Sequence, residues 1–429
     1  MPDESAAAAA PTQRLTSVDA LRGFDMFWII GADSLVYALN RMSRSGPTRF
    51  LANQLDHAEW EGFHFYDLIF PLFVFLVGVS LVFSLGKTIE REGRLAALIR
   101  VIRRSCLLYA VGVFYSGGFT EPWPGMRLMG VLNRIALAYF FAGLLFCFLK
   151  PRALAGVCIG LLVGYWALMT FVPIRDIQLT KSNLARLARE ASDFQTAAIF
   201  RDRDNPSAVK DSPTWKAAQQ MFYATTNRVS GKFDKGYNLS DHLDFQYLPG
   251  KKYDTFFDPE GFLSTIPAIA TCLLGVFVGL LLKNQTIPDR KKMIYLVSFG
   301  VAALVLGWLW NLQFPVIKKI WTSSFVLVAG GYSALLLALF YFVVDMLKWQ
   351  KWCQPFIWIG MNSITIYLTK NFIGGFGKLA TRLVGGDVKT FFDSHLARGW
   401  GDMMISIVGL LLAFWFVHFL YRRKIFLRL

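Results

Sequence analysis

Acidic side chains are in short supply. The 429 residues include 29 Asp and Glu against 45 Lys and Arg, a formal net charge of +16, and only 17% charged residues in all. A basic excess of this size invites a nucleic-acid reading, but its placement argues against one. The bases cluster around Lys87–Arg104, at Lys150 and Arg152, around Lys283–Lys292, at Lys348 and Lys351, and at Arg422–Arg428. These are alternate gaps between apolar segments, the positive-inside pattern of a membrane protein. Cysteine is equally sparse. Cys106, Cys147, Cys158, Cys272 and Cys353 lie in or beside apolar segments, with no CxxC spacing. Neither a disulfide framework nor a metal site is indicated. There is no P-loop, dinucleotide fingerprint, HExxH or GxSxG, so kinase, dehydrogenase and hydrolase readings have no support. No repeat of fixed period is evident. Met1–Gln13 lacks the apolar core of a signal peptide and reads as a disordered cytoplasmic tail.

What is abundant is apolar side chain, 55% of the chain, with 16% aromatics. Windows of about 20 residues with few charges recur, each long enough to span hydrocarbon. They fall at Leu21–Asn40, Phe65–Lys87, Ile99–Ser116, Met129–Leu149, Ala153–Pro173, Phe262–Lys283, Met293–Asn311, Phe325–Leu347, Pro355–Ile373 and Gly401–Tyr421. The expected fold is all-α, a polytopic membrane helix bundle of about ten transmembrane helices with one large extracytoplasmic insertion. Residues 14–173 would carry helices one to five, 174–260 the insertion, and 261–429 helices six to ten. An even number of spans puts both termini in the cytoplasm.

The chemistry concentrates in LDHAEWEGFHFYDLIFPLFVFLVGVS, Leu55–Ser80, where a polar head runs directly into an apolar helix. His57 and His64 are two of only five histidines. Imidazole titrates near neutrality, so His57 at a helix mouth suits a base or nucleophile. Asp67 opens the helix, where a carboxylate caps and complements the dipole, and Trp60 suits the interface. A carboxylate within a span is costly unless it faces a cavity or a partner, which singles out Asp33. Arg134 within the fourth span needs a carboxylate or a ligand; Asp33 and Asp67 are the candidates. Asp258, Pro259 and Glu260 fit the cap and first turn of the sixth span, with Glu260 free to face an outer cavity, and Pro267 is expected to kink that helix. Asn311, Asn362 and Lys370 are further polar groups at span ends. Arg100, Arg103 and Arg104 share a cytoplasmic helix face suited to an anion such as a nucleotide phosphate, with Arg22 nearby.

Several blocks together resemble the membrane-bound heparan-alpha-glucosaminide N-acetyltransferase family and its bacterial homologues. They are SVDALRGFDMFWIIGAD, LDHAEWEGFHFYDLIFPLFVFLVGVS, MRLMGVLNRIALAYFFAGLL, the stretch through FFDPEGFLSTIPAIATCLLG, KKIWTSSFVLVAGGYSALLLALFYFVVD and FIWIGMNSITIYL. The insertion from about Thr180 to Phe233 shows no such match. The resemblance implies acetyl transfer from cytoplasmic acetyl-CoA to a glucosamine-type amine outside a bacterial inner membrane, without a metal, with His57 at the family's active-site histidine. Asp33 stands where lysosomal members have asparagine, and Lys370 where they carry a histidine-bearing stretch. The expected partners are acetyl-CoA, an amino sugar or glycan, the lipid bilayer and a second copy of the chain, and not nucleic acid. On this reading Asp33 orients His57, Asn362 or Asn311 donates to the oxyanion, and Trp60, Asp67, Arg134, Glu260 and Lys370 contact the acceptor. His57 serves either as general base or as covalent carrier. An envelope-polysaccharide O-acyltransferase and a sugar or anion transporter are the competing readings.

Overall fold

The computed structural model describes residues 15–201 and 211–427. The expected tail at 1–13 lies outside the described residues. The described residues are mostly helical. Strand is limited to two short antiparallel pairs, Ile174–Arg175 with Arg228–Val229 and Phe233–Asp234 with Tyr237–Asn238.

Among the described residues, 7 helices are long and apolar enough to cross a bilayer. The difference from the expected ten has three physical causes. The first expected span is not one helix. Thr16–Phe27 gives way to a π-helical turn, Trp28–Ala32, and then to Asp33–Ser43. Gly31 sits there at φ 131°, which side chains rarely adopt. The second and third expected spans form one run, Phe65–Tyr115, broken at Gly93 (φ 87°, ψ 175°). Unbroken, its 51 residues would measure about 76 Å at 1.5 Å per residue. Instead the run folds back on itself. Arg100 Nη1 donates to Thr88 Oγ1 at 2.9 Å, and Leu85 and Val101 both lie against Gly143. The ninth expected span is split at Asn362 (φ −117°) into Gln354–Met361 and Ser363–Phe372. Two short helices, Phe376–Val384 and Asp387–His395, follow before Trp400–Arg422; the sequence reading had left that stretch unassigned.

The sixth expected helix begins at Thr265, with Ser264 at its N-cap position. Asp258, Pro259 and Glu260 therefore do not cap it; they form a turn ahead of it. Pro267 falls in the first turn, where a missing N–H costs no helical bond, and no break appears within Thr265–Lys283.

Glycine lets the central helices meet backbone to backbone. A methyl at Gly78 would collide with the Cys272 carbonyl, and one at Gly275 with the Phe75 carbonyl. Gly23 and Gly360 make the same kind of crossing between the first helix and Gln354–Met361. In lipid, where burying apolar surface offers little between helices, such close packing holds a bundle together. Phe75, Val79, Leu273 and Val276 fill the core around the Gly78 crossing.

The expected insertion is a small helical unit with its own core. Leu184, Phe200, Trp215, Phe222, Phe245 and Phe256 are buried together, so Trp215 and Phe222 are packing residues. Tyr223 and Tyr247 remain exposed.

Overpacking a tight helix crossing costs about 1–3 kcal/mol. Gly78→Val is expected to lower the thermal midpoint of the detergent-solubilised protein. The same change at Gly156, where nothing lies within 4 Å of an added methyl, is expected to leave it nearly unchanged.

Candidate active site

The loop between Gln54 and Phe65 turns into the long helix through its capping box. His64 is the N-cap, in extended conformation, and the Asp67 carboxylate receives its backbone N–H at 3.0 Å. The same oxygen, Oδ2, accepts the Ala58 N–H at 3.1 Å. The other oxygen, Oδ1, lies 2.8 Å from His57 Nδ1 and 3.3 Å from Lys318 Nζ. Asp67 is buried at 1% side-chain exposure, whereas His57 is 53% exposed. Asp67 thus caps the helix and also orients the imidazole. The orienting bond expected of Asp33 is made by Asp67.

Lys318 comes from a segment that a backbone bridge fastens to the histidine loop. Glu61 pairs with Ile317, and Gly62 N donates to Val316 O at 2.9 Å. Burial draws the Lys318 ammonium below its ordinary value, and the Asp67 carboxylate opposes that shift. Asn311 stabilises this segment by accepting the Val316 N–H at 2.8 Å. Trp60 donates its indole N–H to Phe233 O at 2.8 Å, tying the histidine loop to the inserted unit.

His57, Asp67 and Lys318 line a cavity of about 350 Å³. Arg127, Arg134, Tyr253, Glu260 and Lys319 complete its polar part, and Met26, Ile29, Phe70, Phe73 and Ile135 are among its apolar lining. Arg127 grips Asp258 through Nε–Oδ2 at 2.9 Å and Nη2–Oδ1 at 2.7 Å, and Glu260 at 2.8 Å. Its guanidinium also lies 5.1 Å from the Tyr253 ring centroid. Burial works against the Arg127 charge, but the two carboxylates outweigh it and raise its pKa further. Burial first, and the neighbouring Asp258 second, push Glu260 up to about 7. Asp244, on the inserted unit, holds this turn by accepting the Phe262 N–H at 3.1 Å; a methyl at Gly261 would strike its carboxylate.

Arg134 is buried and its partners are not the expected carboxylates. Nη2 donates to Pro259 O at 2.6 Å and to Ser264 Oγ, and the guanidinium lies 4.8 Å from the Trp321 ring centroid. Asp33, Trp60, Asn311, Asn362 and Lys370 are absent from the lining of the cavity. Asp33 accepts the Tyr66 hydroxyl at 3.3 Å, and the Tyr66 ring lies 5.0 Å from that of His57. Asp33 therefore reaches His57 through Tyr66. Lys370 donates to Ile29 O at the π-helical turn, and Asn362 Nδ2 to Trp358 O at 3.1 Å.

Arg100, Arg103 and Arg104 line a second cavity, of about 530 Å³, beside Thr88 at the Gly93 turn. From Asp67 to Thr88 the helix runs about 30 Å at 1.5 Å per residue, the thickness of a hydrocarbon core. Arg22 lies elsewhere, donating to Ser80 Oγ at 2.6 Å.

The sequence reading missed Arg127, Asp258 as its partner, Tyr66 and Tyr253, and gave Lys318 no chemical role. Arg127 and Asp258 are 131 residues apart, and Lys318 and His57 are 261 apart. No local spacing signals such pairs.

Residues 14–196 match the family model described as heparan-alpha-glucosaminide N-acetyltransferase, catalytic. The heparan-alpha-glucosaminide N-acetyltransferase of Mus musculus is 25% identical over 449 residues, covering 99% of this chain and 63% of that protein. Its Homo sapiens counterpart is 26% identical over 395 residues, covering 86% of this chain and 55% of that protein. The resemblance read from the sequence is borne out, and the chain spans 55–63% of the length of these relatives. The family model covers His57, Asp67, Arg127 and Arg134, but not Glu260 or Lys318.

The Glu260 shift makes a stability prediction. A carboxyl raised from 4.5 to about 7 by folding binds a proton in the folded state that the unfolded chain has released. Its contribution therefore favours folding below about pH 4.5 and is lost as pH rises to about 7. Glu260→Gln is expected to flatten that part of the thermal-midpoint profile, measured in detergent between pH 4.5 and 7.5.

Proposed function

We propose that this chain is a membrane acetyltransferase that moves acetyl from acetyl-CoA to the amine of a glucosamine-type acceptor, with His57 as its reactive group. One observation carries the reading. An imidazole held through Nδ1 by a buried carboxylate stands on the wall of a cavity at the end of an apolar helix bundle. This is the arrangement of a general base whose orientation is fixed from behind. The names of the relatives supply the acceptor class.

In the proposed reaction the acceptor amine attacks the thioester carbonyl carbon. A C–N bond forms as His57 Nε2 takes a proton from the amine. The tetrahedral oxyanion collapses, the C–S bond breaks, and the departing thiolate receives the proton. Asp67 steadies the transient imidazolium. Of the cations that line the cavity, Arg127 and Arg134 are assigned to the oxyanion; Asn311 and Asn362 do not line it. Glu260, held in the cavity wall by Arg127, faces the acceptor. Asp33 acts through Tyr66, and Trp60 and Lys370 hold the walls.

The donor enters from the other face, where Arg100, Arg103 and Arg104 offer charge-assisted bonds to its phosphates. Arg22 lies between the two ends. That face is cytoplasmic in this reading, as the distribution of basic residues suggests.

Purified protein supplied with labelled acetyl-CoA and glucosamine is expected to yield labelled N-acetylglucosamine. His57→Ala is expected to abolish the product. Asp67→Asn, which keeps shape and loses charge, is expected to lower kcat on the order of 10²–10⁴-fold. A fully active His57→Ala protein overturns the mechanism. Acetyl-imidazole trapped without acceptor would place a covalent step before transfer.

A further inference from the structure

Lys318 Nζ lies 3.0 Å from His57 Nδ1 and 3.3 Å from Asp67 Oδ1. These three groups cannot all bond one another at once. An ionised carboxylate only accepts, and an ammonium only donates. Asp67 receives four donors: the N–H groups of Ala58 and His64, the ring, and the ammonium. Its 2.8 Å contact with Nδ1 requires a proton on that nitrogen. Nδ1, so protonated, cannot accept from Lys318, so the ammonium is bonded to Asp67 alone.

We propose that Lys318 is a positioning residue for His57: by pairing with Asp67 it keeps the imidazole neutral, with its one proton on Nδ1 and the Nε2 lone pair free. Two effects combine. The ammonium balances the one negative charge behind the ring. It also stands so close to Nδ1 that a second ring proton meets direct repulsion.

The other charged groups that line the cavity have partners of their own, and Arg134 is bonded to Pro259 O and Ser264 Oγ. Arg127 and Glu260, across the cavity, are paired with each other. Lys319 is bonded to Asp254 at 3.2 Å, and Tyr66 to Asp33 at 3.3 Å. The Asp67–Lys318 pair is therefore the ionic pair that acts on Nδ1. Lys318 is delivered by the bridge between Glu61 and Ile317, immediately before it in the chain.

The kinetic half of the test rests on the acetyl-transfer reading; the spectroscopic half does not. The chain has five histidines, so ¹⁵N-histidine spectra are simple, and His57→Ala identifies the His57 signals by subtraction. The intact protein at neutral pH is expected to show Nδ1 protonated and Nε2 bare. Lys318→Met is expected to convert the ring to the doubly protonated form. It is also expected to lower kcat with KM little changed, because a protonated Nε2 cannot take the amine's proton, on the order of tenfold. Lys318→Arg, which keeps the charge, is expected to restore both. A proton on Nε2 in the intact protein overturns the proposal, as do unchanged His57 signals in Lys318→Met. If Lys318→Met does not fold, Lys318→Gln, which keeps a donor to Asp67 and loses the charge, takes its place in both measurements, and unchanged His57 signals there overturn the proposal. If the spectra behave as stated but no acetyl is transferred, the acetyl-transfer reading fails and the role of Lys318 stands.

Discussion

The Asp67 carboxylate is the constraint from which the site follows. It is nearly sealed from solvent, and four donors from three parts of the chain converge on it. A buried carboxylate left without such donors would cost several kcal/mol. The fold meets that requirement by bringing the His57 loop, the first turn of the long helix and the segment before Ser323 to one point. Helix entry and imidazole orientation are consequently a single interaction. The loop cannot move without leaving a charge unpaired.

The opposite wall is built on the same plan with the charges exchanged. Arg127 is the hub there, shared by Asp258 and Glu260, and Asp244 fixes the turn that carries both carboxylates. Arg134 shows how the bundle tolerates an intramembrane cation without a carboxylate in contact. A backbone carbonyl, a hydroxyl and the face of Trp321 take its place. The cavity between the walls is polar on the His57 and Arg127 sides and apolar toward Phe73 and Ile135. Such a lining can hold a charged group on one side and an apolar group on the other.

Much of this was legible in the amino-acid sequence. Apolar runs located the bundle, and the HAEWEG head located His57, because length and composition alone fix what lipid accepts. Span boundaries were less legible where glycine interrupts. Gly31 and Gly93 look like ordinary glycines in an apolar run, and only their positive φ shows one helix broken and another folded back. Asp33 drew attention because a carboxylate inside a span is expensive. Nothing in its neighbourhood announced that Tyr66 would stand between it and His57. Arg127 and Lys318 were invisible as partners for another reason. Their bonds join distant stretches of chain, and pairing of that kind is written in tertiary packing rather than in periodicity. Asp67 was read as a cap, which it is; its second duty depends on a loop whose path no propensity encodes.

The inserted unit clasps both walls. Trp60 on the histidine side reaches Phe233, and Asp244 braces the Glu260 turn. Its ends are therefore structural parts of the site, while the helices at Lys181–Glu190 and Phe194–Arg201 contribute Leu184 and Phe200 to the unit's own core. This divides the insertion into a portion free to diverge and a portion bound to the chemistry. A change in the outer helices would leave both clasps in place, so the cavity wall can stay fixed while the outer surface of the unit varies.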